Sequence, residues 1–312
     1  MAINSDKSKL DILLIGSGVI DSVYATQFAL SGHNIHLLNY GPREHDLQAN
    51  GLIIKDISTG KTEKVAVQIV QSLSDRVFGL VIVAVQATQL SSVFPMLGQL
   101  SGQPHVVIFG NNPDGHKLIP KELSGSTQLA FPGVSGSIQD GVVKYVHIKQ
   151  QSTALEGSQS PINQTIHQVL NNHGFIVQDI DDMDGWLSHH AVFISCISVA
   201  ILRANGDATK LGQDKPRLKL MCKAIEEGFY LLKSKGTGGA PHNLAVLHSH
   251  WLRLVAVAYW KKVMLSPNGE LYFATHARHA PEEISMLSRW VLNQTTRNNE
   301  MTPHLQQLLN NQ

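Results

Sequence analysis

The stretch Lys9-Leu10-Asp11-Ile12-Leu13-Leu14-Ile15-Gly16-Ser17-Gly18-Val19-Ile20-Asp21-Ser22-Val23-Tyr24-Ala25 limits what this chain can fold into more than any other part of it. An apolar run meets a Gly-Ser-Gly turn and then a helical apolar spacing, which reads as strand, tight turn, helix. Such a turn reverses the chain with no side chain in the way. It aims the free N–H groups of the first helical turn at whatever lies above, most often a dinucleotide pyrophosphate. Gly16 supplies the tight turn and Gly18 the close approach, with Ser17, Val19 and Ile20 completing the cradle. The third position of G-x-G-x-x-G, however, is Asp21. A carboxylate ~4 Å from one phosphate charge costs about 4 kcal/mol at an effective dielectric near 20. Turned away, the same side chain complements the helix macrodipole. The sequence leaves both orientations open.

The spacing of Val19, Val23, Tyr24, Phe28 and Leu30 is helical, Ser31-Gly32-His33 closes the helix, and Asn34 to Leu38 forms the next strand, a complete βαβ unit. An acid at the end of that second strand selects NAD, and its absence beside an arginine favours the 2′-phosphate of NADP. Here the position is Asn39 or Tyr40 with Arg43 close by, so NADP is favoured; the plainer role for Arg43 is a solvated charge in Gly41-Pro42-Arg43-Glu44. Leu52-Ile53-Ile54 and Val65 to Val70 flank Ser58-Thr59-Gly60-Lys61 and read as a hairpin inserted on the sheet. Gly79 to Val85 is a strand buried on both faces, Leu90 to Leu100 a helix and His105 to Phe109 a strand. Ligands of open parallel sheets sit beyond the carboxyl ends of the strands, which places Gln86, Asn111 and Asn112 along a nicotinamide pocket.

Phe131 to Gln151 reads as the last strands of this domain, followed by a helix at Ile162 to Leu170 and a strand at Phe175 to Gln178. The boundary falls near Asp181-Asp182, giving a dinucleotide-binding domain over 1–181 and a helical domain over 182–312. The latter has helices at Trp186 to Leu202, Leu218 to Lys233, Leu244 to Met264 and Pro281 to Leu292. An α/β half followed by an all-α half places the active site in the cleft between them.

Composition narrows the partners. With 312 residues, 43% of them apolar, and 25 Lys+Arg against 24 Asp+Glu with no long basic run, the chain fills a real core and lacks the footprint of a nucleic-acid or anionic-membrane binder. Met1 to Lys9 lacks a secretory signal, so a cytoplasmic location is expected. Cys196 and Cys222 show no metal-ligand spacing and read as buried reduced thiols. The apolar run Ala191 to Leu202 is too short to span a bilayer and reads as a core or dimer-forming helix.

Ile12-Leu13-Leu14-Ile15-Gly16-Ser17-Gly18-Val19-Ile20, Gly110-Asn111-Asn112, Asp182-Met183-Asp184-Gly185-Trp186-Leu187-Ser188-His189-His190 and His276-Ala277-Arg278-His279-Ala280-Pro281-Glu282-Glu283 together resemble the ketopantoate reductase family, in order and spacing over nearly the whole chain. The resemblance implies a Rossmann-type doubly wound sheet followed by an all-helical C-terminal domain. It also implies NADPH-dependent reduction of 2-dehydropantoate or another 2-oxo acid. Asn111 falls where the family places an asparagine beside nicotinamide and substrate, and Glu283 near its late active-site glutamate. Three positions depart. Gln86 stands where a lysine is usual, Asp21 at the third glycine, and Ser188 where the Trp-x-Lys motif supplies the proton-donating lysine.

Hydride transfer to a ketone leaves an oxyanion that needs an acid, and Ser188 alone cannot be that acid. His190, or else His189, is the nearest titratable substitute, with Glu283 or Asp184 as its carboxylate; the plainer reading makes both histidines surface or interface residues. Glu282 and Glu283 also fit as first-turn acids after Pro281. Losing the lysine argues against efficient turnover of ketopantoate itself. The expectation is thus an NADP-dependent reductase of a small 2-oxo acid or related ketone. Its rival is a non-catalytic NADP(H)- or metabolite-binding protein on the same fold.

Overall fold

A computed structural model describes residues 9–38, 43–71, 73, 76–295 and 302–310. The chain divides into two compact units. The first comprises residues 1–85, 89–110 and 119–179, and the second residues 86–88, 111–118 and 180–312.

The first unit is a mixed α/β body. Its strands are β1 (Asp11–Ile15), β2 (Asn34–Leu38), β3 (Leu52–Asp56), β4 (Thr62–Val65), β5 (Gln68–Val70), β6 (Leu80–Val83), β7 (His105–Phe109), β8 (Thr127–Phe131), β9 (Val134–Gln139), β10 (Val142–His147), β11 (Thr153–Glu156) and β12 (Val177–Ile180). Its helices are α1 (Val19–Leu30), α2 (Glu44–Asn50), α3 (Leu90–Leu97), α4 (Lys121–Ser124) and α5 (Pro161–Asn172). The main sheet runs β12-β11-β8-β7-β6-β1-β2-β5, and β5, β2, β1, β6, β7 and β8 are parallel neighbours. The chain winds outward from β1 to β2, then returns to build β6, β7 and β8 on the other side of β1. The strand order therefore reverses at β1, the point where open α/β sheets bind ligands. Ile12, Leu13, Leu14, Leu80, Val81 and Val83 are fully buried, as strands covered on both faces must be. Tyr24 of α1 fixes the helix to the sheet's far strands: its hydroxyl lies 2.6 Å from Thr153 Oγ1 and accepts the Gly133 N–H at 3.1 Å.

The expected hairpin is built differently. β3 pairs antiparallel with β4, and the two join β10 and β9 in a separate four-stranded sheet; Gln68–Val70 instead forms the edge strand β5 beside β2. Thr62-Glu63-Lys64 pairs through its backbone, with Thr62 and Lys64 exposed and Glu63 half-buried, and its polar residues give hydropathy nothing to reveal.

The second unit is helical, with α6 (Met183–Leu202), α7 (Ala208–Gln213), α8 (Lys215–Ser234), α9 (His242–Leu247), α10 (Arg253–Met264), α11 (Thr275–His279), α12 (Pro281–Thr295) and α13 (Pro303–Leu309). Helix α6 begins at Asp182, whose side chain accepts the Gly185 N–H, an N-cap that satisfies one orphan donor. It is longer than the apolar run suggests. By length and composition α6 could cross a membrane, yet 94% of its apolar window is buried inside the protein. It is the core of this unit, packed by α8, α12 and α13, and not an exposed dimer face. A β-carbon at Gly228 of α8 would stand 2.4 Å from Val192 Cγ1, so only glycine permits this helix contact. Cys196 and Cys222 are free and buried in the same core. The single helix expected over Leu244 to Met264 is broken. Ser249 takes an extended conformation, and the buried His248 accepts the Trp260 indole N–H at 3.0 Å.

Candidate functional site

In the first unit the site is the turn between β1 and α1. Gly16 has φ +133°, a conformation L side chains rarely adopt, and Gly18 is the N-cap of α1. Asp21 folds back over this turn. Its Oδ2 accepts the Gly18 N–H at 3.1 Å, and a β-carbon built on Gly16 would meet that oxygen at 2.6 Å. The carboxyl group is 1% exposed, and burial pushes its pKa up to about 8, against the Gly18 N–H and the Arg43 charge, which favour the ionised form. Of the two orientations open from sequence, the side chain takes the one turned toward the glycine turn rather than away from it, and it is buried there.

Arg43 stands beside the same turn, half-buried, and its Nη1 donates to the Ser17 carbonyl. Its Nε and Nη2 are buried with no hydrogen-bond partner among the described residues, and burial lowers its pKa against the Asp46 and Asp21 charges. Ser17, Val19 and Ile20 are half-exposed around the turn. Asn39 and Tyr40, expected at the ribose, lie outside the described residues.

In the second unit the site is a polar cluster around Glu283, in the first turn of α12 and 4% exposed. Glu283 Oε1 accepts the Ala87 N–H at 3.1 Å, and Oε2 accepts Asn111 Nδ2 at 3.3 Å. His276 Nε2, on α11, lies 3.6 Å from the same Oε2. Asn111 Oδ1 and His276 Nε2 are buried with no hydrogen-bond partner among the described residues. Gln86, expected at the nicotinamide, adjoins Ala87 and is exposed.

The loop carrying Asn111 is fastened at several points. Asn112 Nδ2 donates to the Gly115 carbonyl at 2.9 Å, and Ser188 Oγ to the Pro113 carbonyl at 3.0 Å. Asp184 accepts both the backbone N–H and Nδ1 of His116 at 2.9 Å, and the Trp290 indole donates to Asp114 at 2.8 Å. Ser188 is therefore a loop fastener, 8% exposed, with its proton engaged.

His190, expected as the acid, is a buried ring. It is 4% exposed, stacked on Trp186 with ring centroids 5.1 Å apart, and burial drives its pKa down to about 3, helped by the neighbouring His276. The two carboxylates considered for it are engaged elsewhere, Asp184 with His116 and Glu283 with Asn111 and Ala87. His189 bonds the Gly185 carbonyl at 2.8 Å and meets the ring of Phe229 edge-on. Sequence reasoning missed His276 as a site residue. The signal was its place seven residues before Glu283, obscured because α11 and α12 are separate helices that meet at Ala280.

Residues 12–157 match the family model described as ketopantoate reductase PanE/ApbA. Among solved structures, a PanE/ApbA family ketopantoate reductase from Ralstonia eutropha JMP134 aligns with TM-score 0.71 at 18% identity, over 96% of each chain. A 2-dehydropantoate 2-reductase from Porphyromonas gingivalis W83 aligns with TM-score 0.72 at 11% identity, over 97% of this chain and 98% of that one. A D-mandelate dehydrogenase solved with NADH and anilino(oxo)acetate aligns with TM-score 0.71 at 16% identity, over 96% of each. No protein of curated function matches the sequence. At these identities the structural likeness is one of fold, and it is the family model that assigns the segment 12–157 to the ketopantoate reductase family.

Proposed function

We propose that this chain, whose residues 12–157 carry the ketopantoate reductase family's domain, is an NADPH-dependent cytoplasmic reductase of a 2-oxo acid or related ketone, with ketopantoate itself a poor substrate. The observation that carries the reading is the Asn111–Glu283 pair, buried and bonded, with Asn111 Oδ1 lacking a hydrogen-bond partner among the described residues. A buried acceptor left unmade costs about 1–3 kcal/mol, which the hydroxyl formed on reduction, or a water, would recover. In this reading residues 1–181 bind the dinucleotide and 182–312, joined by Asn111, the substrate.

In this reading the glycine turn takes the pyrophosphate, with Asp21 giving up the Gly18 N–H it now accepts. Gly16, Ser17, Gly18, Val19 and Ile20 would hold it, and Arg43, with two buried N–H-bearing atoms unbonded among the described residues, would take the 2′-phosphate of NADP. Asp21, pushed up to about 8, is largely neutral at pH 7 and so adds little charge repulsion there. A reduced nicotinamide supplies the hydride when bound. Asn111 and Glu283 orient the polar end of the substrate, while Ser188 and Asp184 hold the loop that presents Asn111.

The second reading, a binding protein without turnover, is favoured by one observation: Asp21 already occupies the Gly18 N–H that a pyrophosphate would use. NADPH oxidation with pyruvate, 2-oxoisovalerate, phenylglyoxylate and ketopantoate separates the two. Turnover of one of the first three above ketopantoate supports the reductase, and saturable NADPH binding with no oxidation supports the binding protein. We further assign homodimer contacts to α9–α10, where Trp251 is 92%, Leu254 78% and Val255 54% exposed.

A further inference from the structure

Hydride addition to a carbonyl makes an alkoxide, which must be protonated. Ser188 gives its hydroxyl proton to the Pro113 carbonyl, and His189 is bonded to the Gly185 carbonyl. Asp184 holds His116, and His190 is a buried ring stacked on Trp186. Among the described residues, His276 beside the Asn111–Glu283 pair has a buried ring nitrogen with no hydrogen-bond partner. A π-helical turn, Gly269–Ala274, leads into α11 and sets His276 against the first turn of α12 across the Ala280 corner. Its Nε2 is buried, 3.6 Å from Glu283 Oε2, too far for a hydrogen bond and near enough for a carboxylate to favour a charged ring. The rest of its side chain is 34% exposed, which gives the ring a route to water.

We propose that His276 is the proton donor of the reaction, delivering the Nε2 proton to the substrate's carbonyl oxygen, with Glu283 holding the imidazolium and Asn111 Oδ1 accepting the hydroxyl that forms. The inference rests on the reductase reading above. In the step, the carbonyl carbon takes the hydride of a reduced nicotinamide, and the carbonyl π pair moves to oxygen. Oxygen takes the proton from Nε2, leaving a neutral imidazole, an alcohol and the oxidised nicotinamide. Water then reprotonates the ring.

The charges facing His276 are Glu283 from α12, which raises its proton affinity, and His190 from α6; burial opposes Glu283 and lowers the pKa. On its own element Arg278 is turned to Glu270 and the Gly206 carbonyl, and His279 to the Thr275 carbonyl. The donor must therefore be charged below its pKa and spent above it, so kcat declines as pH rises.

The test compares wild type, His276→Gln, His276→Lys and His190→Gln in NADPH oxidation with pyruvate, 2-oxoisovalerate and phenylglyoxylate, and in NADPH binding by fluorescence. For His276→Gln we expect kcat to fall by about 10²–10⁴-fold, the size of a positioned acid's contribution. KM and NADPH affinity should stay near wild type, and the falling limb of the kcat–pH profile should vanish. His276→Lys, which keeps a proton donor, should recover much of the rate and so separates lost chemistry from lost folding. His190→Gln should leave the limb in place. Near-wild-type turnover or a retained limb in His276→Gln overturns the donor role alone. A wild type that binds NADPH and oxidises it with none of the three acids overturns the reductase reading, and the donor role with it.

Discussion

Asn111 donates from Nδ2 to Oε2 of Glu283 across 3.3 Å, tying together residues 172 positions apart in sequence. Glu283 also accepts the Ala87 N–H, so one buried carboxylate fastens two separate loop segments to the start of α12. Glu283→Gln keeps the shape and loses the charge, while Glu283→Ala leaves both donors without their acceptor. We expect Glu283→Ala to lose about 1–3 kcal/mol of stability, and Glu283→Gln less, with turnover strongly reduced in both. Urea denaturation beside steady-state rates checks this, and equal stability in all three proteins would contradict it.

Asp21 makes the protein's response to alkali specific. Its folded pKa, about 8, lies above the ordinary value of 3.8, so between those limits the folded state holds a proton the unfolded chain has released. The contribution to stability therefore falls as pH rises through that window, by about 1.4 kcal/mol per pH unit. Asp21→Asn should remove that slope. Ionised Asp21 also repels pyrophosphate, so NADPH affinity in wild type should weaken by up to about tenfold per unit above pH 8 and stay flat in Asp21→Asn. Parallel curves for the two proteins would show that the carboxyl group does not govern the turn.

Acid acts through buried histidines with the opposite sign. His248, which accepts the Trp260 indole N–H, is pushed down to about 4, and His190 to about 3, both by burial. Each is neutral in the folded protein and takes a proton first in the unfolded chain. Their contribution is intact above pH 6.5 and is lost as pH falls toward the folded values. His248→Gln, which can still accept from Trp260, should lose about 1–2 kcal/mol less than wild type between pH 6.5 and 5. Chemical denaturation at both pH values reads this difference, and an unchanged loss refutes it.

The exposed face of α9–α10 predicts a concentration-dependent dimer. Trp251→Glu places a charge on a side chain 92% exposed in the single chain, so folding should be unaffected while association is lost. Sedimentation velocity at micromolar concentration reports it, and a wild type that stays monomeric would rule out this interface.

Much of the architecture is local and was readable from sequence. The β1–α1–β2 unit follows from an apolar run, a turn that needs Gly16 and a helical spacing, all within thirty residues of one another. What failed to show was tertiary. The polar strand Thr62–Val65 has no hydropathy signal, and the break after His248 depends on a bond to Trp260 twelve residues on. At the site, Asn111 and Glu283 were recognisable through the family resemblance, but their bond spans two segments that no local pattern connects. His190 drew attention by its position after Trp186, yet burial makes it neutral, and His276 gains its significance only from where α11 meets α12. The orientation of Asp21 was open because a first-turn acid suits the helix whichever way it points.

The most direct test of the reductase reading is a fluorescence titration with NADPH and, in parallel, NADH at pH 7, on wild type and Arg43→Ala. The account predicts saturable micromolar binding of NADPH by wild type, NADH at least about tenfold weaker, and a narrowed preference in Arg43→Ala through loss of the 2′-phosphate contact. Absence of binding by either nucleotide at millimolar concentration would mean that Asp21 closes the Gly16–Gly18 turn to dinucleotides, contradicting the central claim.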